Sequence, residues 1–398
     1  VFNTYIYNKP AVILSVLPND GGVTQPTQPD NFEVQREGEN PFPTTDYSGL
    51  KYNRPEGDSF DRSVQPTPGP APLVPVPDFW VAETENGIEF IGTNANEVPT
   101  VNIQIRINGG HKMDAKEPAK AGLAALTASM MNESTENFTS EEIAEELRLI
   151  ASSINVGAGN TTTTINVSTL KKNLDRTLVL LEEIMFRPAF NEADFARIKQ
   201  QQLEGIRSTY ESPASIANLV YNRMIYGDEH IFSVPTSGIE ETVDRITVDD
   251  VRAFYEQNYD PALTEVVVVG DVSKDEILSK LNFLNSWESP GAVVPELPAA
   301  KPGDYTKIYL VDKAQAPQSE IRIGYITDLE YDATGEYYKA TLMNYVLGGT
   351  FNSRINLNLR EDKGWSYGAR SFFNSSDDPG PFTALSGVRA DATDSSVV

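Results

Sequence analysis

Apolar and polar positions repeat along this chain with two periods, and the switches between them mark its elements. Two-residue alternation runs through "GIEFIGTN" and "TVNIQIRING", which predicts strands of one antiparallel pair. In "GLAALTASMMNEST", Gly122 to Thr135, the residues Leu123, Leu126, Met130 and Met131 recur at helical spacing, and Met130 is expected in the core. A second helix is expected over Ser140 to Ala151, with Thr139 or Ser140 as N-cap and Glu142 near the first turn. Its "EEIAEELR" run reads as a solvated face. "SINVGAG" and "TTTTINVSTL" predict a Thr-rich hairpin. Helices follow near Asn173 to Met185, Glu192 to Tyr210 and Pro213 to Ile225. The capped helix "TVDDVRAFYEQNY", the buried strand "TEVVVVGDV" and a closing helix "SKDEILSKLNFL" complete the series.

The same order then begins again. After "ESPGAVVPELPAAKPGD", the segments "TKIYLVD" and "SEIRIGYIT" read as strands. "GEYYKATLMNYVLGG" is a helix that stops at Gly348-Gly349, "FNSRINLNLRED" a second helix, and "GWSYGARSFF" and "PFTALSGVRA" strands. Strand, strand, helix, helix, strand, strand thus appears twice, which predicts an α+β fold with an internal duplication and an incomplete second copy. The expected boundaries are a lone strand within residues 1–18, a linker over 19–78, a first unit over 79–286, a linker over 287–303 and a partial unit over 304–398. The first linker ends in "PTPGPAPLVPVP", whose prolines favour extended polyproline II geometry at about 3.1 Å per residue.

Composition narrows the chemistry. At 398 residues and 39% hydrophobic, the chain can bury a sizeable core. A formal net charge of −25 argues against nucleic acid as a partner and mildly favours basic ligands. No run of apolar residues is long enough to span a membrane as a helix. The chain has no cysteine, which excludes disulfides, thiol catalysis and thiolate zinc sites. Its two histidines, His111 and His230, cannot supply a three-histidine metal site, and both read as loop or packing residues. Asn132, Asn137, Asn160, Asn166 and Asn374 begin Asn-x-Ser/Thr triplets, which matter only in a glycosylating host. The first residue is Val and the last segment stops just after a strand-like run, so a fragment of a longer protein is expected.

Several segments, in this order, resemble the M16 family of zinc metallopeptidases, the pitrilysin or insulinase family. "YGDEHIFSVPTSGIEETVDRITVDDVRAFYEQNYDPALTEVVVVGD" is similar to the second half of an M16 domain, and "LMNYVLGGTFNSRINLNLREDKGWSYGARS" to the opening of the next one. The resemblance covers roughly Val76 to Val398, and Thr4 to Pro18 is similar to the end of an earlier M16 domain. It implies duplicated domains, each an antiparallel sheet flanked by helices. Active members carry H-x-x-E-H on the first helix, where two histidines one turn apart hold zinc and the glutamate is general base; a later glutamate completes the site. Here the histidine positions match Ala125 and Ser129, the base matches Ala128, and the distal ligand matches Gly205, with Glu204 about 100° round the helix. The resemblance therefore implies a non-catalytic M16 half that binds no metal, with zinc in a missing N-terminal half.

The resemblance also implies two substrate-positioning residues. "LREDKGWSY" supplies Arg360, whose planar donors suit peptide carbonyls, and Tyr367, whose hydroxyl suits a developing oxyanion. Without the resemblance, Arg360 pairs with Glu361 or Asp362 and Tyr367 fills a strand face. The expected partners are a catalytic M16 half, in the same chain or as a separate subunit, and a peptide or unfolded protein substrate. The full-length protein is expected to be a zinc metalloendopeptidase and this chain alone inactive. The alternatives are a pseudo-peptidase scaffold, or an extracytoplasmic module that captures peptide along a sheet edge without metal. A bacterial periplasmic or extracytoplasmic location is the expectation.

Overall fold

Along Thr100–Asn108 every second residue is buried, and these side chains (Val101, Ile103, Ile105 and Ile107) pave one face of a sheet. The computed structural model describes residues 76–300 and 305–398, with scattered positions between 48 and 70. The expected strand within residues 1–18 and most of the linker over 19–78 lie outside the described residues. The chain divides into two compact units, residues 1–74 and 75–398, and only the second is described further.

Six strands form its main sheet: β1 (Trp80–Glu83), β2 (Glu89–Asn94), β3 (Thr100–Asn108), β4 (Ser153–Ala158), β5 (Thr162–Leu170) and β6 (Thr264–Gly270). Their order is β1-β2-β6-β3-β5-β4. The alternating runs β2 and β3 are therefore not a pair, contrary to the expectation. Strand β6, which follows them by more than a hundred residues, lies between them, parallel to β2 and antiparallel to β3. The pattern of β2 and β3 reports which face is buried, not which strand is the neighbour. Among the described pairs of this sheet, β2–β6 is the parallel one, which a long crossover makes possible.

Helices cover the buried face. They are α1 (Leu123–Met130), α2 (Ser140–Leu149), α3 (Leu174–Phe186), α4 (Glu192–Thr209), α5 (Pro213–Tyr226), α6 (Val248–Asn258) and α7 (Lys274–Lys280). Thr139 caps α2 in a full capping box with Glu142, and Thr247 with Asp250 does the same for α6. The core they enclose is continuous, and Ile105, Leu126, Met130, Ile165, Leu181 and Ile277 are all fully buried within it. Among the described residues no helix is long and apolar enough to cross a membrane.

The second repeat is smaller. Its sheet has order β7-β9-β8, from β7 (Gln318–Ile326), β8 (Ser366–Phe373) and β9 (Pro381–Arg389). One helix, α8 (Glu336–Asn344), runs into a π-helical turn, Tyr345–Gly349, and a second mixed helical turn spans Arg354 to Asp362. Gly348, within the first turn, is pressed against Ser371, where a β-carbon would clash with the Ser371 side chain and backbone. The segment "TKIYLVD" is not a strand: it is extended but unpaired, with Ile308 83% and Leu310 92% exposed. In the first repeat β2 forms its ladder on β6. Among the described residues the second repeat has no strand in that place, so the backbone of 306–312 has nothing to pair with. For the same reason the free edge of β7 leaves Ile323 and Tyr325 more than half exposed.

Stability should therefore reside in the first sheet. Ile105→Ala is expected to cost about 2–5 kcal/mol in urea unfolding, while Ile323→Ala should stay within about 0.5 kcal/mol of the parent. Comparable losses at the two positions would contradict this division.

Candidate functional site

Helix α1 carries the positions where metal ligands are expected, and buried polar contacts fix its first turn. The preceding Gly122 sits at φ +102°, and a β-carbon there would approach Ser237 O to 2.7 Å, so only glycine fits. The Asp114 carboxylate accepts the N–H groups of Gly122 at 2.9 Å and Ala124 at 3.0 Å. It thus satisfies two of the donors that a helix start leaves open, and places a negative charge at the positive end of the helix dipole. His111 Nδ1 is 2.8 Å from the same carboxylate, and its Nε2 donates to Ile231 O at 3.1 Å and Val234 O at 3.0 Å. Both side chains are essentially inaccessible to water. His111 is thus a structural tie between the end of β3, the start of α1 and the turn 231–234. A lone histidine after "NGG" carried no sequence signal of this.

Ala125 and Ser129 fall one turn apart and are both half-buried, while Ala128 is 1% exposed inside the core. Gly205 lies on α4, which packs against α1, and a β-carbon there would meet nothing within 4 Å. Gln202, one turn earlier on α4, donates to Gly122 O at 3.2 Å and Ser237 O at 2.7 Å. Two methyl groups, one hydroxyl and a hydrogen offer no imidazole and no carboxylate, so this set does not fit zinc. Glu204 points outward and accepts a hydrogen bond from Gln200 at 2.8 Å. Among the described residues no group of three or more His, Cys, Asp or Glu is placed to hold a metal.

Arg360 and Tyr367 lie in the second repeat. Arg360 is exposed; its Nε is 3.2 Å from Glu361 Oε1 and its guanidinium stacks 4.6 Å above the Phe351 ring. An exposed pair between chain neighbours of this kind contributes little to stability. Tyr367 is the second residue of β8, is 88% exposed, and its hydroxyl makes no hydrogen bond among the described residues. Both side chains are thus accessible, and Tyr367 does not fill a packed strand face.

His230 is buried beside Tyr226, with ring centres 4.8 Å apart, and its Nδ1 accepts the Phe232 N–H at 3.1 Å. Burial holds this imidazole below its ordinary 6.5; the nearby Asp378 opposes that shift and Lys112 adds to it. Burial also pushes the Tyr226 phenol up to about 12. Lys112 and Asp378 themselves form a 2.7 Å ion pair that links the two repeats.

Two kinds of outcome are expected, one in stability and a second in its pH dependence. Asp114→Ala leaves the buried N–H groups of Gly122 and Ala124 without an acceptor and removes the contact to His111, and should cost about 2–5 kcal/mol in urea unfolding. Asp271→Ala, which removes the half-exposed pair with Lys171, should cost under about 1 kcal/mol. The second outcome concerns pH. The fold favours neutral His230, so the unfolded chain takes up this proton first as pH falls. The His230 contribution is then full above about 6.5 and declines below it. Between about pH 7 and 5.5, His230→Asn should flatten the loss of stability; an unchanged slope would remove His230 as its source.

A family model described as Insulinase (Peptidase family M16) matches residues 90–229, and one described as Peptidase M16 inactive domain matches residues 245–397. The chain is 26% identical over 306 residues to "Uncharacterized zinc protease YmxG" of Bacillus subtilis, covering 77% of this chain and 73% of that protein. It is 25% identical over 268 residues to "Non-peptidase homolog YmxG" of Helicobacter pylori, covering 67% and 60%. Among solved structures it is similar to a peptidase M16 inactive domain from Pseudomonas fluorescens (TM-score 0.72, 22% identity, 80% of this chain and 76% of that one). It is also similar to the periplasmic protease PqqL of Escherichia coli (TM-score 0.66, 15% identity, 81% and 37%). With both family models matching in sequence order over this fold, the chain belongs to the M16 peptidase family.

Proposed function

We propose that this chain is the non-catalytic, substrate-positioning half of a zinc-dependent peptidase whose metal and general base reside in another M16 half. The observation that carries this reading is the combination of a helix α1 with no ligand at Ala125, Ala128 or Ser129 and an accessible Arg360 and Tyr367 in the next repeat. The Tyr367 hydroxyl is free to donate to an oxygen that becomes negative during amide hydrolysis, and the Arg360 guanidinium to hold peptide carbonyls. The expected partner is a catalytic M16 half, from the same polypeptide or a separate subunit, and the expected substrate a peptide or unfolded chain. PqqL is described as periplasmic, and an extracytoplasmic location for this chain belongs to the same reading.

A scaffold or peptide-binding role without catalysis is the second reading. Relatives described as a non-peptidase homolog and as a "Probable inactive metalloprotease YmfF" favour it. Strand β4 stands at the sheet's edge, but Asn132 already bonds the N–H of Val156 at 2.8 Å and its carbonyl at 2.9 Å, so strand addition there does not support this reading.

A peptidase assay on the chain joined to its catalytic half separates the two. In that assembly Tyr367→Phe is expected to lower kcat about 100-fold and Arg360→Ala chiefly to raise KM. The chain by itself should cleave nothing, with or without a chelator. Unchanged turnover in both variants would sink the positioning role, and an assembly inactive even with zinc would leave the scaffold reading.

A further inference from the structure

A cleft of about 310 Å3 opens between the C-terminal end of α4, helix α5, the turn 231–239 and the segment leading into β9. That volume is at the lower end of the range for ligand pockets, and the place, a seam between packed repeats, is a common one for them. None of its lining residues is charged, in a chain of net charge −25. Its polar groups are hydroxyls and carboxamides. Asn160, Asn222 and Asn374 line it from three different elements, and their side chains make no hydrogen bond among the described residues. Tyr210, Tyr226 and Phe232 supply the apolar part.

The walls are held in place. His111 fixes the carbonyls of Ile231 and Val234, and Gln202 fixes that of Ser237. On the opposite side, Tyr221 Oη lies 2.9 Å from Thr383 Oγ1, and Arg322 Nε donates to Asn218 at 2.7 Å, which seats α5 on the second sheet. A ligand would meet walls that need little ordering.

We propose that this cleft binds a short, extended, uncharged stretch of polypeptide, and that Asn160, Asn222 and Asn374 hydrogen-bond its backbone. Each carboxamide offers donors and an acceptor, as a peptide group does. An ionised side chain entering the cleft would lose water with no counter-charge to meet it. The proposal rests on the peptide-handling reading above and assigns that substrate class a place outside Arg360 and Tyr367. A neutral sugar shares the hydrogen-bonding chemistry and is distinguished by experiment.

The test is an NMR titration of the isotope-labelled chain with three probes: acetylated and amidated Ala-Ser-Asn-Val, its Ala-Lys-Lys-Val counterpart, and maltotriose. The neutral peptide should give saturable shifts in the asparagine side-chain amides, and the lysine peptide should bind at least about tenfold more weakly. Asn222→Leu with Asn374→Leu should weaken the neutral peptide about tenfold or more at unchanged melting temperature. Asn222→Asp, which keeps the size and adds a charge, should weaken it too if the leucine pair perturbs folding. Absence of saturable shifts, undiminished binding by both variants, or saturation by maltotriose alone overturns the proposal. The probes require no turnover, so this outcome is separate from the Arg360 and Tyr367 assay.

Discussion

The buried pair of His111 and Asp114 holds together the part of the molecule where chemistry is expected. Four backbone groups from two distant places converge on these two side chains, which also contact each other: the N–H groups of Gly122 and Ala124 and the carbonyls of Ile231 and Val234. Inside a low-dielectric core such a network is strong when complete and costly when any member is lost. It fixes where α1 starts, and so which residues face α4. It also fixes the turn 231–239, which leans on Ala121 and Gly122 through Gly238 and Thr242.

The second constraint is topological. Strand β6 pairs on both sides, and its valines Val266 and Val268 are completely buried. Its continuous apolar run predicts burial on both faces, but only one face is buried: Val267 is partly exposed and Val269 40% exposed on the other. The second repeat has a comparable helix and hairpin but, among the described residues, no equivalent of β6. This accounts for both the unpaired 306–312 segment and the exposed side chains of β7. Repetition of elements is thus not repetition of packing, because one central strand decides whether the others have partners.

Sequence patterns specified the elements well, since each depends on neighbours within a few residues. The capping box at Thr139 and the hairpin of β4 and β5 are both local decisions. Strand order was not legible: alternation in Glu89–Asn94 and Thr100–Asn108 is satisfied equally by direct pairing or by an intervening strand. The family resemblance places Ala125, Ala128, Ser129 and Gly205 at the ligand positions, and none of these residue types offers an imidazole or a carboxylate. The role of His111 was not legible, because its partners at Ile231 and Val234 are backbone carbonyls, which no sequence pattern displays.

A metal bound between two helices also cross-links them, so a helix pair without ligands needs another tie. In this chain α1 and α4 are joined instead by Gln202, whose amide spans Gly122 O and Ser237 O, and by apolar packing around Leu126, Leu203 and Ile206. The ends of the cross-link are neutral, so no charge has to be desolvated at the helix junction. Ala128 adds to this: at 1% exposure its methyl belongs to the core, where a carboxylate would be an unpaired buried charge. Neutral hydrogen bonds and apolar packing therefore hold this helix pair, and histidines placed at Ala125 and Ser129 alone would still have no carboxylate at Ala128 or Gly205 beside them.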